Sequence, residues 1–455
     1  MQAENDTIAA IATAPGAAGI AIIRISGSEA FAIADRIFRC KLPVPSQRPA
    51  MQIVYGHIVA SGKDIDEALL LPFRAPASYT REDIVELHVH GGSISARAAL
   101  QAIYQAGARP AGPGEFTRRA FLSGRIDLLQ AEAVMDLISA RSQRAADAAI
   151  EQLEGHLSQS FEKIYDALIA VAADLEAQLD FDEDELPARA TTELLARLDA
   201  TRQDLLKLVE TWEEGHRLRE GTLVVLAGRP NAGKSTLLNL LLGKNRAIVT
   251  PIPGTTRDSL EEEVVLQGFP LRIVDTAGLR SADCEIEQEG IRRSRTFMQK
   301  AEIVILLLDA SRPLDPEDRA LLAASTPDKT LVLLNKIDLG QVVHAHDIHA
   351  FPVVPCCLLH GEGLDAIKQT LGNMLHLTTQ TEAHAVISER HRDMAQQTLQ
   401  ALNQAREILN KQEESCEMMA ALALRDGIEP LGQITGRSYH DNLLEAIFSR
   451  FCVGK

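Results

Sequence analysis

The sequence predicts a multidomain α/β protein. It comprises an α+β N-terminal domain, an α-helical central domain, and a parallel sheet flanked by helices inserted into that helical domain. Three observations carry this prediction. Residues 221–375 alternate uniformly apolar strand-like runs with helical ones; alanine- and leucine-rich helical stretches stand before and after that block; and residues 1–119 mix short β-rich runs with Gly-Pro turn signals. A chain of 455 residues is long for one hydrophobic core, so two or three folded units are expected. The expected boundaries are 1–119, 120–215, 216–379 for the inserted domain, and 380–455.

In the first segment, "AGIAIIRISG" and "DIVELHVHGG" read as strands, broken up by turns such as "RPAGPGEF". Alternation in "VELHVH" puts Val85, Leu87 and Val89 on one face and Glu86, His88 and His90 on the other. Two histidines with no nearby third ligand read as structural rather than metal-binding. Arg24, inside "AIAIIRISG", is costly to bury unless it has an anionic partner.

The second segment opens on "DLLQAEAVMDLISARSQRAADAAIEQLEGHL", which is free of proline. Further on, Leu194, Leu198, Leu205, Val209 and Trp212 fall on one helical stripe. The acidic stretch "DFDEDELP" reads as a solvated turn, because no glycine sits where a calcium loop needs its sharp bend. In the third segment, "TLVVLAG", "LRIVDTAG", "EIVILLLDAS", "TLVLLNKID" and "FPVVPCC" are apolar on both faces, the mark of a parallel sheet covered by helices. After "TTQTEAHA" the chain turns helical again, with Met394, Leu399, Leu402, Ile408 and Leu409 on one half of a helix.

Charge and cysteines narrow the function classes. The net charge of −17 argues against a protein that coats nucleic acid through its overall field. Acidic side chains dominate residues 120–215, whereas residues 1–119 are balanced, so an anionic ligand is better sought outside the helical segment. Apolar residues make up 46% and aromatic ones 4%, which implies aliphatic cores. The cysteines show no C-x-x-C spacing, and there is neither a signal peptide nor a membrane-length apolar run. The expectation is a reduced, cytoplasmic protein with no membrane association.

The chemistry is concentrated in the inserted block. "GRPNAGKS", Gly228 to Ser235, follows a strand and precedes "TLLNLLL". Asn231, Ala232, Gly233, Lys234, Ser235 and Thr236 can curl backbone N–H groups around phosphate oxygens at a helix N-terminus. Lys234 supplies positive charge to the β- and γ-phosphates, and the Ser235 hydroxyl suits Mg²⁺. "GTTRD" puts Thr256 where a switch threonine completes the Mg²⁺ shell. "DTAG" puts Asp275 at a strand end to hold Mg²⁺ through water. Thr276 and Ala277 follow it, and the Gly278 N–H faces the γ-phosphate. "NKID" contributes Asn335, Lys336 and Asp338. The Asp338 carboxylate can accept both the N1–H and the 2-amino group of guanine, which selects GTP over ATP. Each tetrapeptide is a weak signal alone; four in order, each at a strand end, specify a GTP hydrolase.

Two departures stand out. The loop after the last strand, where a Ser-Ala-Lys-like triplet usually contacts guanine, carries Cys357, Leu358 and Leu359. The position after "DTAG", where many GTPases place a glutamine to orient water, is Leu279, and no arginine finger is evident. Something else has to neutralise developing charge. A monovalent cation on the Asn231 side-chain oxygen is one candidate; a turn residue chosen for its backbone explains Asn231 equally well.

With the four GTPase elements, the helical flanks and the terminal "FCVGK", the chain resembles the MnmE (TrmE) family of tRNA modification GTPases along essentially its whole length. "DTIAAIATAPGAAGIAIIRISG", "RPAGPGEFTRRAFLSGRIDLLQAEA", "GRPNAGKSTLLN" and "GTTRD" carry the likeness. The resemblance implies a homodimer joined through the N-terminal domain and G domains that pair across the active site. Asn231 matches the potassium-binding asparagine. Thr250, Pro251, Ile252, Pro253, Gly254 and Thr255 match the loop that completes the K⁺ site, with Thr250, Ile252 and Thr255 supplying oxygens. Glu287, which alone reads as a solvated carboxylate, aligns with the glutamate that orients the catalytic water. The resemblance also implies that the N-terminal domain binds 5-formyl-tetrahydrofolate or 5,10-methylene-tetrahydrofolate through Arg24, Glu86 and Arg125.

The tail then acquires a meaning. Prenylation wants two aliphatic residues after the cysteine, which "CVGK" lacks, and "NLLEAIFSRFCVGK" keeps helical apolar spacing almost to its end. The resemblance implies that Cys452 and Lys455 reach the folate pocket, where a thiol can act as nucleophile or proton shuttle. The implied activity is GTP hydrolysis coupled to modifying C5 of the wobble uridine of certain tRNAs. The products are aminomethyl or carboxymethylaminomethyl forms, made with the FAD-containing partner MnmG (GidA) in a heterotetramer or larger complex. A ribosome-assembly GTPase switch is the rival reading; it predicts a basic C-terminal module, and this C-terminal segment is acidic and helical.

Overall fold

The computed structural model describes residues 6–41, 43–180, 191–245, 261–275, 298–375, 388–411 and 416–455. The chain forms two compact units. The first is Met1–Met135 with Gln152–Leu205 and Asp393–Lys455; the second is Asp136–Glu151 with Leu206–Arg392.

The first unit contains a seven-stranded sheet in the order β3-β4-β5-β6-β2-β1-β7. Its strands are β1 (Ile8–Ile11), β2 (Ile20–Ser26), β3 (Phe38–Cys40), β4 (Val54–Ala60), β5 (Lys63–Phe73), β6 (Ile84–His90) and β7 (Arg109–Pro110). All neighbouring pairs are antiparallel except β1 with β7. The alternation in β6 is realised: Val85, Leu87 and Val89 are buried, while Glu86 and His88 are half-buried and His90 is exposed. The buried face packs under helices Ala30–Ile37 and Ser93–Gln105 through Ile33, Ala34, Ala99 and Ile103. Antiparallel register sets Arg24 of β2 directly opposite Glu86 of β6, so the face of the sheet opposite those helices carries a charged pair at its centre.

The long helices of this unit pack through mainly aliphatic side chains, as the composition implies, while Phe121, Phe448 and Phe451 cluster near the chain end. Leu194, Leu198 and Leu205 are buried on their stripe, and helix Cys416–Thr435 packs on helix His156–Asp180. Gly427 permits a close helix approach: a Cβ there would lie 2.8 Å from the Ala401 Cβ. Helix Glu389–Lys411 buries Leu399, Leu402 and Leu409 of its expected stripe, whereas Met394 and Ile408 are half-buried and Ala395 is buried in addition. The last helix, Asp441–Phe448, stops before the tail. Helical spacing in the sequence runs further than the helix itself, because Phe451 turns into a core of Phe121, Leu128, Leu444, Ile447 and Phe448. The acidic stretch 181–187 lies outside the described residues.

The second unit holds a six-stranded sheet in the order β13-β12-β11-β8-β10-β9. The strands are β8 (Thr222–Gly228), β9 (Glu261–Leu266), β10 (Phe269–Asp275), β11 (Ile303–Asp309), β12 (Thr330–Asn335) and β13 (Val353–Cys356). Five run parallel, and β9 joins β10 as an antiparallel edge. The parallel strands coincide with the apolar runs read from the sequence. The edge strand, "EEEVVL", is not anticipated, because its acidic start breaks the apolar pattern. Its signal is the two-residue turn Gln267-Gly268, with φ of +51° and +87°, the type of turn that closes hairpins. Among the described residues no helix is long and apolar enough to cross a membrane.

Candidate functional site

In an open parallel sheet, ligands bind outside the carboxyl ends of the strands where the strand order reverses. Here β8 is flanked by β11 and β10, so the loop leaving β8 occupies that position. Gly228, at φ +138°, has no room for a side chain, since a Cβ would meet the Leu307 carbonyl oxygen at 2.5 Å. The loop then passes through Asn231 in the left-handed region at φ +62°, a conformation asparagine tolerates better than most residues. Helix Lys234–Asn245 follows and aims its first N–H groups into the loop.

The loop is braced from several sides. Arg229 is paired with Asp315, the N-cap of helix Pro316–Ala323. Asn335, at the end of β12, donates from Nδ2 to the Ala232 carbonyl at 2.8 Å and accepts at Oδ1 from the Leu358 N–H at 3.0 Å. A Cβ on Gly233 would lie 2.4 Å from that same Nδ2. One buried asparagine therefore joins the phosphate loop to the loop after β13. Lys234, 5% exposed, directs Nζ to the carbonyl oxygens of Gly228 and Arg229 at 2.7 and 2.8 Å. Ser235 Oγ donates to Asp275 Oδ2 at 3.4 Å, so the hydroxyl and carboxylate expected around Mg²⁺ converge from α-helix and β10. That donor set, two oxygens with the helix end beside them, suits a hard divalent cation.

On the base side, Asp338 lies in a short turn after β12 and is exposed, and Cys357 Sγ donates to its Oδ1 at 3.1 Å. Lys336, at φ +68°, reaches back to Asp309 with Nζ–Oδ2 of 2.8 Å. Burial pushes the Asp309 carboxyl up, but hydrogen bonds from Lys336 and Ser311 outweigh it and hold it below the usual carboxylate range. Cys357 and Leu358 are buried, whereas Leu359 is 79% exposed. Leu358 thus serves the core and Leu359 points outward. Burial, with the neighbouring Cys357, pushes Cys356 up to about 12, so Cys356 is a neutral core thiol. Thr250, Pro251, Ile252, Pro253, Gly254, Thr255, Thr256, Thr276, Ala277, Gly278, Leu279 and Glu287 lie outside the described residues.

A second constellation occupies the first unit. Arg24 and Glu86 form a two-pronged ion pair: both Nε and Nη2 of the guanidinium lie 2.8 Å from Glu86 Oε1. Their side chains are 15% and 14% exposed, so the pair is largely shielded while one edge stays open. Glu86 is the anionic partner that the buried position of Arg24 demands. Tyr79 stands between two cations, its ring centroid 5.1 Å from the Arg24 guanidinium and 4.7 Å from that of Arg125, and Phe116 lies 5.6 Å from Arg24. Such stacking fixes guanidinium planes without neutralising them. His88 Nε2 is buried and makes no hydrogen bond.

The tail is docked to this region by backbone. Val453 bridges Pro113, and the Gly114 N–H donates to the Cys452 carbonyl oxygen at 3.4 Å. Gly454, at φ +103°, sits so close to β1 that a Cβ would lie 2.3 Å from the Ile11 carbonyl oxygen. Gly114, at φ +62°, faces the Phe448 carbonyl oxygen in the same way, at 2.8 Å. These two glycines are why the chain end can reach the sheet. Burial pushes the Lys455 ammonium down; Arg24 adds to that effect, while Glu86 and Cys452 oppose it. Lys455 is therefore within electrostatic reach of the Arg24–Glu86 pair. Tyr79 and Phe116 are absent from the sequence reading, and no local pattern marks them, since each is one aromatic residue in a separate loop or helix.

The likeness to known proteins covers both units. A model described as the MnmE helical domain matches residues 128–452, and one described as the GTP-binding protein TrmE N-terminus matches residues 7–125. The tRNA modification GTPase MnmE of Natranaerobius thermophilus is 40% identical over 459 residues, covering 99% of this chain and 100% of its own. That of Syntrophotalea carbinolica is 42% identical over 456 residues, with 99% of each chain covered. That of Geobacillus thermodenitrificans is 41% identical over 466 residues, covering 99% and 100%.

Proposed function

The chain belongs to the MnmE family of tRNA modification GTPases, and from that premise we propose a potassium-dependent GTPase that modifies C5 of the wobble uridine of certain tRNAs. Its FAD-containing partner is MnmG (GidA), the chain acts as a homodimer in the cytoplasm, and a tetrahydrofolate donates the one-carbon unit. The observation that carries the hydrolase half is the meeting of Ser235 and Asp275 beneath a phosphate loop that Asn335 ties to the guanine loop. The functional partition follows the sequence boundaries: 1–119 for folate and dimerisation, 120–215 and 380–455 for the helical frame, and 216–379 for the G domain.

Within this reading Ser235 and Thr256 hold Mg²⁺ directly and Asp275 holds it through water. Asn231, Thr250, Ile252 and Thr255 hold K⁺, which supplies the positive charge that an arginine finger supplies elsewhere. Lys234 neutralises the β- and γ-phosphates, Glu287 orients the attacking water, and the two oxygens of Asp338 accept from guanine. In the N-terminal site Glu86 grips N–H donors of the pterin, and Arg24, Arg125 and Lys455 suit anionic parts of the folate. Cys452 acts as nucleophile or proton shuttle there.

Hydrolysis measured in KCl and in NaCl tests the cation assignment. A rate at least about tenfold higher in KCl is expected for the wild type and absent from Asn231→Ala; equal rates in both salts overturn it. Nucleoside analysis of tRNA from a deletion strain tests the modification itself, with loss of the C5 group at wobble uridines expected.

A further inference from the structure

The triplet that departs from the usual guanine loop places a thiol where it meets two other metal-binding side chains. Among the described residues, the ligand atoms of Asp338, Cys357 and His360 all lie within 4.8 Å of one another. Two loops bring them together. Asp338 stands in the turn Ile337–Leu339 after β12, and Cys357 and His360 stand in the loop after β13. That second loop is closed on itself. The Cys357 N–H donates to the Glu362 carbonyl oxygen at 3.1 Å, Glu362 returns the bond at 3.0 Å, and the His360 N–H donates to the Cys357 carbonyl oxygen at 3.2 Å. The two loops are joined by the thiol itself, 3.1 Å from Asp338 Oδ1.

Sulfur, imidazole nitrogen and carboxylate oxygen together favour a borderline-soft divalent ion over Mg²⁺ or Ca²⁺, which prefer oxygen alone. Bond lengths of about 2.0–2.3 Å around tetrahedral zinc put ligand atoms about 3.3–3.8 Å apart. Asp338 and His360 are exposed, so rotation of their side chains closes the remaining gap. Three protein ligands leave a fourth position for water.

We propose that Asp338, Cys357 and His360 form a zinc site that competes with guanine for the Asp338 carboxylate, so that a thiophilic divalent ion blocks nucleotide loading. This rests on the reading of Asp338 as the guanine acceptor. Binding replaces the Cys357 S–H bond with a sulfur–metal bond and releases the proton to solvent; no electrons are transferred. A serine at position 357 would lack this affinity, because a hydroxyl does not supply a soft anionic donor at neutral pH.

Co²⁺, a spectroscopic stand-in for zinc, is titrated into the nucleotide-free full-length protein. The expected result is a near-ultraviolet thiolate-to-cobalt band with tetrahedral visible bands. Cys357→Ser removes the band, His360→Gln weakens Co²⁺ binding at least about tenfold, and excess GDP with Mg²⁺ displaces the ion. In parallel, zinc at ten times its own Kd raises the apparent Kd of a fluorescent GDP analogue about tenfold. At the same zinc concentration His360→Gln binds the analogue normally and shows no more than about a twofold zinc effect. A missing band, a band that survives Cys357→Ser, or one that saturating GDP leaves unchanged overturns the proposal. Asp338→Asn, assayed without added metal against GDP and xanthosine diphosphate, tests the guanine reading separately. A switch toward xanthine upholds that reading whatever cobalt does, and an unchanged preference for GDP overturns it and the competition with it.

Discussion

The nucleotide site of the second unit and the charged cluster of the first are built in opposite ways. The candidate phosphate and base ligands come from short contiguous motifs at the ends of parallel strands of one sheet: Gly228 to Ser235 at β8, Asp275 at β10, and Asn335 to Asp338 at β12. Chain topology alone brings those ends to one edge. The N-terminal cluster draws instead on positions 24, 79, 86, 116, 125 and 455, which no local pattern connects. Antiparallel register joins Arg24 to Glu86, loop packing adds Tyr79, and the tail after the last helix, bridged to Pro113 through Val453, brings Lys455 near. A site assembled from motifs is legible residue by residue and depends on a few backbone positions. One assembled from distant segments depends on everything that holds those segments in place.

That difference should be visible in perturbations remote from any ligand. Arg119 anchors the N-terminal segment to its surroundings. It donates to the Asp6 carbonyl oxygen, to Asp6 Oδ1 at 2.7 Å, to both oxygens of Glu82, and to Glu115 Oε1 at 3.1 Å. Arg119→Met removes these bonds while Arg109 still pairs with Asp6 and Glu115, and is expected to cost about 1.5–3 kcal/mol. Hydrogen exchange of full-length protein should show the loss in β1 and β7, and binding at the proposed folate site should weaken with GTP affinity unchanged. The same network has a defined pH response. The Arg109 hydrogen bond holds the Asp6 carboxyl below the usual range; burial pushes Glu115 up, but bonds from Arg109, the Gly112 N–H and Arg119 outweigh it. Groups depressed on folding stabilise the fold above their unfolded pKa of about 4 and lose that contribution as pH falls through the folded values. Protection of β1 should therefore hold from pH 8 to about 5 and decline below about 4, less steeply in Arg119→Met.

Glycine substitutions make a paired test. Gly228→Ala drives a Cβ against the Leu307 carbonyl oxygen, and Gly454→Ala drives one against that of Ile11. Each should cost about 1–3 kcal/mol locally, read as roughly a tenfold to hundredfold loss of its own ligand. Gly228→Ala weakens GTP binding and spares folate; Gly454→Ala weakens folate and spares GTP. A variant that affects both ligands alike would erase the distinction between the two architectures.

The smallest effect sharpens the role of Glu86. If its carboxylate grips ligand N–H groups, Glu86→Gln lowers 5-formyl-tetrahydrofolate affinity about tenfold, the worth of one charge-assisted hydrogen bond of about 1.5 kcal/mol. If its main task is to neutralise Arg24, the freed guanidinium attracts the anionic ligand and affinity rises. Calorimetric titration separates these by sign.

From the residues alone one could read the parallel sheet, its phosphate loop, Asp338 as the candidate guanine acceptor, and the in–out alternation of β6. Each follows from backbone geometry and side-chain chemistry acting over a few neighbours: an apolar run must be covered, a glycine admits a phosphate, and period-two alternation sorts one face from the other. The terminal Cys452 to Lys455 segment marked itself as unusual, but the sequence could not say what it touches. Only tertiary structure supplied Gly454 against Ile11, Tyr79 between two guanidinium groups, Asn335 as the tie between two loops, and His360 beside Cys357 and Asp338. Contacts of that kind are decided by register and packing among segments far apart in the chain. Those are collective properties of the folded core, and no single stretch of sequence contains them.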